Sequence, residues 1–228
     1  MCRRSLEYFI GQEQQFIKEK GREPELIYNK EFGEFENETL PLDFLRKEPF
    51  SKYGKNLCFK DEYVNKEYNL SDLEYVIISM FFGDFSEFFR DDYTGYRESG
   101  IPQIVEEMQK ILNDIILKSP KNTATILYRF LKPEDKRDLH VGEFYTPEYS
   151  LTTTIDDWEE NVDVYIIKPL DENNTQAHET FRLVFNQNEN QVNFIKGTKF
   201  LVTDIKQKGY NKIFYLKELE KEEKQIKS

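Results

Sequence analysis

A guanidinium inside an apolar run is the first residue whose chemistry asks for a reason. Arg129 stands in TATILYRFL, where strand alternation sends it to the face of Leu127. A charge at such a position needs a partner or an anionic ligand, and the planar fork of donors suits a pyrophosphate or a carboxylate. An edge-strand arginine paired with one of the 43 acidic residues meets the same need. The second feature is Thr152-Thr153-Thr154 in EYSLTTT. In a strand, Thr152 and Thr154 share a face and set two hydroxyls side by side, although threonine is also ordinary strand filler. The third is FNQNENQVNFIKGTKF, with Gln187, Glu189 and Gln191 at spacing two. As a strand this puts three polar side chains in one row that could line a cleft; as NQNENQ it reads equally as a polar turn.

Other chemistries lack their residues. No phosphate-binding glycine loop, no HExxH and no CxxC occurs in the chain. Two cysteines, Cys2 and Cys58, and two histidines, His140 and His178, make neither a disulfide framework nor a zinc site, so no metal is expected. Both histidines sit in polar stretches and are expected at the surface.

The elements that must hold these residues change character along the chain. Leu6, Phe9, Ile10 and Phe16 predict a short amphipathic helix within Ser5 to Lys20, and Glu31 to Tyr68 reads as irregular chain with short helices. In LSDLEYVIISMFF, Ser71 followed by Glu74 three residues later is a capping box. A short helix is expected in FSEFFRD, a turn region in DDYTGYRESG, and a long helix in IPQIVEEMQKILNDIILKS, whose apolar residues keep the 3.6-residue period. Beyond Pro120 the signals become strands: TATILYRFL, EYSLTTT, VDVYIIK, FRLVF, TKFLVTDI and KIFYLKEL. Helices first and strands after, without βαβ alternation, predict an α+β fold.

The 228 residues amount to about one and a half average domains. The chain is 38% hydrophobic, enough for a core, and its charge of −11 repels nucleic acid and anionic lipid, so direct nucleic-acid binding is not expected. An acidic chain suits a basic partner, and a solvated acidic face accounts for the charge as well. No apolar stretch is long enough to span a membrane, and the start lacks the apolar core of a signal peptide.

Taken in chain order, these pieces resemble the ADP-ribosyltransferases of the arginine-serine-glutamate class, which include bacterial exotoxins and phage enzymes that modify host proteins. ILYRF offers Arg129 for the arginine this family carries on its first core strand after a hydrophobic residue and an aromatic. YSLTTT stands where the family has Ser-Thr-Ser. ENQVNFIKGTKFLV follows the frame of Glu-x-Glu, an apolar run, a glycine, a small hydroxyl residue and a phenylalanine. LSDLEYVIISMFFGDFSEFF resembles the helix and aromatic-glycine segment before the core, so that the likeness covers roughly Leu70 to Leu219.

The resemblance implies a helical N-terminal part followed by a two-sheet, mostly antiparallel β core, divided as an extension over residues 1–69, a transferase-like domain over 70–219 and a charged tail over 220–228. It implies an NAD-dependent mono-ADP-ribosyltransferase, a monomer acting on a protein acceptor, either cytoplasmic or delivered into a host cytosol without a cleavable signal peptide. Arg129 and Tyr128 would bind NAD, with Arg129 at the pyrophosphate or ribose; Thr152 and Thr154 would hold the site. Counting back from Gly197 puts Gln191 where the family has its catalytic glutamate and Glu189 in the first acidic position. A longer turn, Gln187-Asn188-Glu189, makes Glu189 the catalytic acid. With no acid in place the chain would be an impaired NAD-binding or protein-interaction module of the same fold. The resemblance further requires Arg129, Thr152 and Glu189 to meet on one side of the sheet.

Overall fold

In the computed structural model, residues 5–21, 27–29, 34–36, 44–83, 85–89, 102–131, 137–158, 161–185 and 189–221 are described. The turn expected in DDYTGYRESG, Gln187 and nearly all of the charged tail lie outside them. The chain divides into two compact units, Met1–Asp61 with Leu70–Leu112, and Glu62–Asn69 with Asn113–Ser228.

The first unit is helical. Helix α1 (Leu6–Lys20) buries Leu6, Phe9 and Glu13, one stripe at helical spacing. Strands β1 (Ile27–Asn29) and β2 (Glu34–Glu36) pair antiparallel, where no strand was expected from the patchwork sequence. A 3₁₀ turn at Phe44–Lys47 leads to α2 (Pro49–Gly54), and α3 (Lys60–Tyr63) ends the run of short helices. Helix α4 (Asp72–Phe82) opens on the expected capping box: Ser71 Oγ accepts from the Glu74 amide, and the Glu74 carboxylate accepts from the Ser71 amide at 2.8 Å. FSEFF forms a single 3₁₀ turn at Ser86–Phe89, and α5 (Pro102–Ile116), whose last turn belongs to the second unit, buries Ile104, Met108 and Leu112 in the first.

Glu13 shows how this unit closes. The first amides of a helix have no partner within it. In α2 those of Phe50 and Ser51 donate to the Glu13 carboxylate of α1 at 2.8 and 3.0 Å, and the Ser51 hydroxyl donates to it as well. Phe9 packs on Phe50 beside it, ring centroids 4.9 Å apart. The N-cap residue Glu48 makes no side-chain cap, so the cap comes from another helix. Replacing Glu13 by alanine strips charged hydrogen bonds from buried amides and is expected to lower the unfolding free energy by about 2–3 kcal/mol, read from denaturant melts. Glu13→Gln, which keeps one acceptor oxygen, should lose less.

The second unit is a mixed, mostly antiparallel sheet. Its strands are β3 (Leu127–Phe130), β4 (Phe144–Tyr145), β5 (Leu151–Thr154), β6 (Val164–Lys168), β7 (Ala177–His178), β8 (Gln191–Phe194), β9 (Phe200–Lys208) and β10 (Asn211–Glu218). They run in the order β4-β9-β10-β6-β3-β5-β8-β7, and only β10 and β6 are parallel. One joint is thin: β3 and β5 share a single residue pair, Tyr128↔Thr154. On either side lie a five-strand and a three-strand layer. Phe194 of β8 meets Phe200 of β9 at 4.9 Å, although several strands separate them in the order, so the sheet folds back on itself at this joint and closes a core. The mostly antiparallel core is as expected, and the two expected sheets are one continuous eight-strand ladder folded into two layers.

FRLVF is not a strand. Thr180–Arg182 is a 3₁₀ turn, and only Val184 reaches a ladder, as an isolated bridge to Val64. Composition favoured a strand, but the anchors of this segment favour a turn. The Thr180 hydroxyl is held by β8, and the Glu179 carboxylate receives the Thr123 amide and hydroxyl and pairs with Arg182.

Candidate active site

The β3–β5–β8 neighbourhood brings together the segments that carry Arg129, the threonines, Glu189 and Gln191. The KGTKF frame has a physical reason. Gly197 adopts φ +85°, a left-handed conformation that suits glycine, and the Thr198 hydroxyl donates to the Ile195 carbonyl to close the turn after β8. Phe200 then enters the core. Gln191 is the first residue of β8, and Glu189 sits in the bend before it, its carbonyl accepting from the Gln191 amide at 2.9 Å.

Arg129 is 7% exposed, and its Nη1 donates to the Thr152 carbonyl at 3.2 Å. This bond ties β3 to β5 just past their single paired residue. Directly opposed residues share a face, so Tyr128 lies with Thr154, and alternation adds Thr152, Gln191 and Asn193 to that face. Arg129 projects to the other face, opposite Tyr165 and with Leu127. Arg129 and Thr152 therefore meet through a backbone carbonyl and do not stand side by side, contrary to the one-sided arrangement expected from sequence. The cause is the register, which sets Tyr128 rather than Arg129 opposite Thr154.

Tyr128 is stacked with Phe130, which stacks on Trp158 at 5.2 Å. With Val164, Ile166 and Ile213, Tyr128 and Phe130 line an open pocket of about 160 Å³.

The threonines differ in their work. The Thr153 hydroxyl donates to the Val192 carbonyl at 2.8 Å. The Thr154 hydroxyl accepts from the Asp156 amide and bonds its carboxylate, building the turn after β5. The Thr152 hydroxyl joins the polar side chains of β8: it accepts from Asn193 Nδ2 at 3.1 Å, while Asn193 Oδ1 accepts from Gln191 Nε2 at 2.9 Å.

Glu189 is half-buried, and no described residue donates a hydrogen bond to its carboxylate. Burial, and after it the nearby Asp156 charge, push its pKa up to about 7, against the pull of Arg129. Asp156 is the reverse case. Burial raises its carboxyl, but donors from the Asn190 side chain and amide and from Thr154 outweigh this and hold it below the usual range. One carboxylate is thus fixed as a charge, and its neighbour is poised near neutrality.

Sequence reasoning missed Asp156, Asn190 and Asn193. A signal existed for Asn193, because alternation in QVNF places it with Gln191. His140 is exposed as expected, but His178 is 3% exposed. Its Nδ1 lies 2.8 Å from the Ser119 carbonyl, its Nε2 is buried without a partner, and burial lowers its pKa. Its polar neighbours mislead because Glu218, far along the chain, binds the Leu170 and Gln176 amides and the Thr175 hydroxyl and folds that stretch inward.

No protein-family model and no curated protein sequence matches the chain. Solved structures share its fold. The C3 exoenzyme of Clostridium limosum superposes with a TM-score of 0.53 at 11% identity, over 73% of this chain and 94% of that one. The ADP-ribosyltransferase Vis of Vibrio splendidus, bound to an inhibitor, gives 0.53 at 13% identity over 76% and 85%. C3stau2 of S. aureus, solved with NAD, gives 0.51 at 14% over 79% and 97%. The fold is that of these bacterial ADP-ribosyltransferase toxins. Among the described residues no helix is long and apolar enough to cross a membrane.

Proposed function

We propose that this protein is a mono-ADP-ribosyltransferase of the arginine-serine-glutamate class, which takes NAD as co-substrate and modifies a protein side chain. The observation that carries the reading is Glu189: a half-buried carboxylate with no described hydrogen-bond donor, tuned to about 7, at the joint where Arg129 ties the two layers together. The residues present fit the dinucleotide by their chemistry. Thr152 and Gln191 offer a hydroxyl and an amide for its sugar, and Arg129, which reaches the joint from the opposite face with its Nη1 on the Thr152 carbonyl, brings a positive charge towards its phosphates there.

Bound NAD supplies a sugar carbon that gains positive character as nicotinamide leaves. Glu189, ionised, places a negative charge against that carbon in a partly dry site, where electrostatic stabilisation is largest. The acceptor side chain forms the new bond to the same carbon and gives up its proton. The chain's −11 charge favours a basic acceptor. The same reading has the protein act as a monomer in a cytosol, its own or that of a host.

Gln191 supports a second reading. It occupies the position in the KGTKF frame that the resemblance gives to the acid, so a module that binds NAD without turning it over is the competing case. Incubating the full chain with adenylate-labelled NAD and basic proteins or lysate separates the two. Transfer of label or release of nicotinamide is the expected result. Neither product from a folded protein that still binds NAD supports the second reading, and no binding overturns both.

A further inference from the structure

Asn193 lies two residues beyond Gln191, on the same face of β8, and is fully buried. Its amide is the hub of the polar face. Nδ2 donates to Thr152 Oγ1 at 3.1 Å, and Oδ1 accepts from Gln191 Nε2 at 2.9 Å. The Thr180 hydroxyl lies 2.6 Å from the same Oδ1 and 3.0 Å from the Gln191 carbonyl, fixing the ring of contacts from the β7–β8 side.

A carboxamide has one donor end and one acceptor end. Because Asn193 receives Gln191 on its oxygen, Gln191 keeps its own Oε1 as an acceptor. Because Asn193 donates to Thr152, the Thr152 hydroxyl keeps its hydrogen as a donor. No described residue takes either group. Rotating the Asn193 amide by half a turn would reverse both roles together: Thr152 would keep a lone pair and Gln191 its N–H. In either state the pair keeps at least one donor and at least one acceptor aimed outward on separate side chains, which a single alcohol, itself both donor and acceptor, can bridge. Leucine has neither end, and aspartate has two acceptor ends, so neither can impose this match.

We infer that Asn193 is a positioning residue that couples Thr152 and Gln191 into a reader of one sugar hydroxyl. This rests on the nucleotide reading above. It gives Gln191 a task that a carboxylate could not share with Glu189 nearby without adding a second charge. It also makes hydroxyl selection, rather than charge, the contribution of this position.

The test compares kcat/KM for NAD with that for two analogues, each lacking one hydroxyl of the nicotinamide ribose, in wild type and in Asn193→Leu. Sites built to hydrogen-bond a hydroxyl reject its deletion strongly, so wild type should disfavour one analogue by about 100-fold or more. In Asn193→Leu the ratio should fall below about 10-fold while the Glu189 pH midpoint stays in place, a combination that loosened packing alone does not produce. Asn193→Asp, closer in shape, is the second variant and should also lose the ratio. An active Asn193→Leu or Asn193→Asp enzyme that keeps the full ratio overturns this inference alone. Wild type that neither binds nor cleaves any of the three dinucleotides overturns the nucleotide reading, and this inference with it.

Discussion

Replacing Glu189 by glutamine is expected to lower NAD turnover by a factor of about 100 to 1,000, the usual cost of removing one electrostatic stabiliser from an enclosed site. The amide keeps the shape and loses the charge, so nucleotide affinity should change little and kcat should carry the loss. Wild type adds a pH signature. The carboxyl is pushed up to about 7, so kcat/KM should climb with pH through a single ionisation near that value and level off above it. Asp156→Asn removes the charge that opposes ionisation and should move the midpoint to lower pH. Stability gives an independent reading of the same group. In the folded protein Glu189 is harder to ionise than at its ordinary 4.5, so its contribution is fully present below 4.5 and is lost as pH rises through about 7. Glu189→Gln should therefore melt above wild type at about pH 8 and level with it at about pH 4. Unchanged turnover in Glu189→Gln rules Glu189 out as the catalytic acid.

The parts of this protein that were legible in sequence are those set by neighbours along the chain. The Ser71–Glu74 box, the period of α5 and the β-rich runs of β3, β5 and β6 all involve residues within a few positions of each other. What sequence could not show depends on distant carboxylates. Glu13 caps a helix 37 residues away, and Glu218 reaches back 48 residues to Leu170, turning a polar stretch into a platform that buries His178. FRLVF departs from its strand expectation in the same way: the side-chain anchors of Glu179 and Thr180 outweigh a β-rich composition. The site divides along the same line. Its residue types and their order are local and were readable. Which acid is poised was not, because the answer lies in Asp156, held by Asn190 across 34 residues. Nor did alternation alone show that Arg129 leaves the face of Thr152, since that follows from the register that pairs Tyr128 with Thr154.

Arg129 should separate charge from geometry. Its guanidinium lowers the Glu189 pKa and also binds the Thr152 carbonyl across the joint. Arg129→Met removes both effects. The Glu189 midpoint should then move above 7 as the opposing pull disappears, and turnover at neutral pH should fall by about 100-fold or more from the combined loss of carboxylate and phosphate contact. Arg129→Lys restores the charge but not the fork, because an ammonium is a point donor and cannot hold a pyrophosphate in two places. Its midpoint should return towards that of wild type, while the KM for NAD rises by about 10-fold or more. Both variants disturb a buried residue, so each is compared at a temperature well below its own melting point. If lysine restores the midpoint and the affinity together, the residue acts only as a charge. If methionine leaves the midpoint in place, Arg129 does not act on Glu189, and the electrostatic core of the proposed site is wrong.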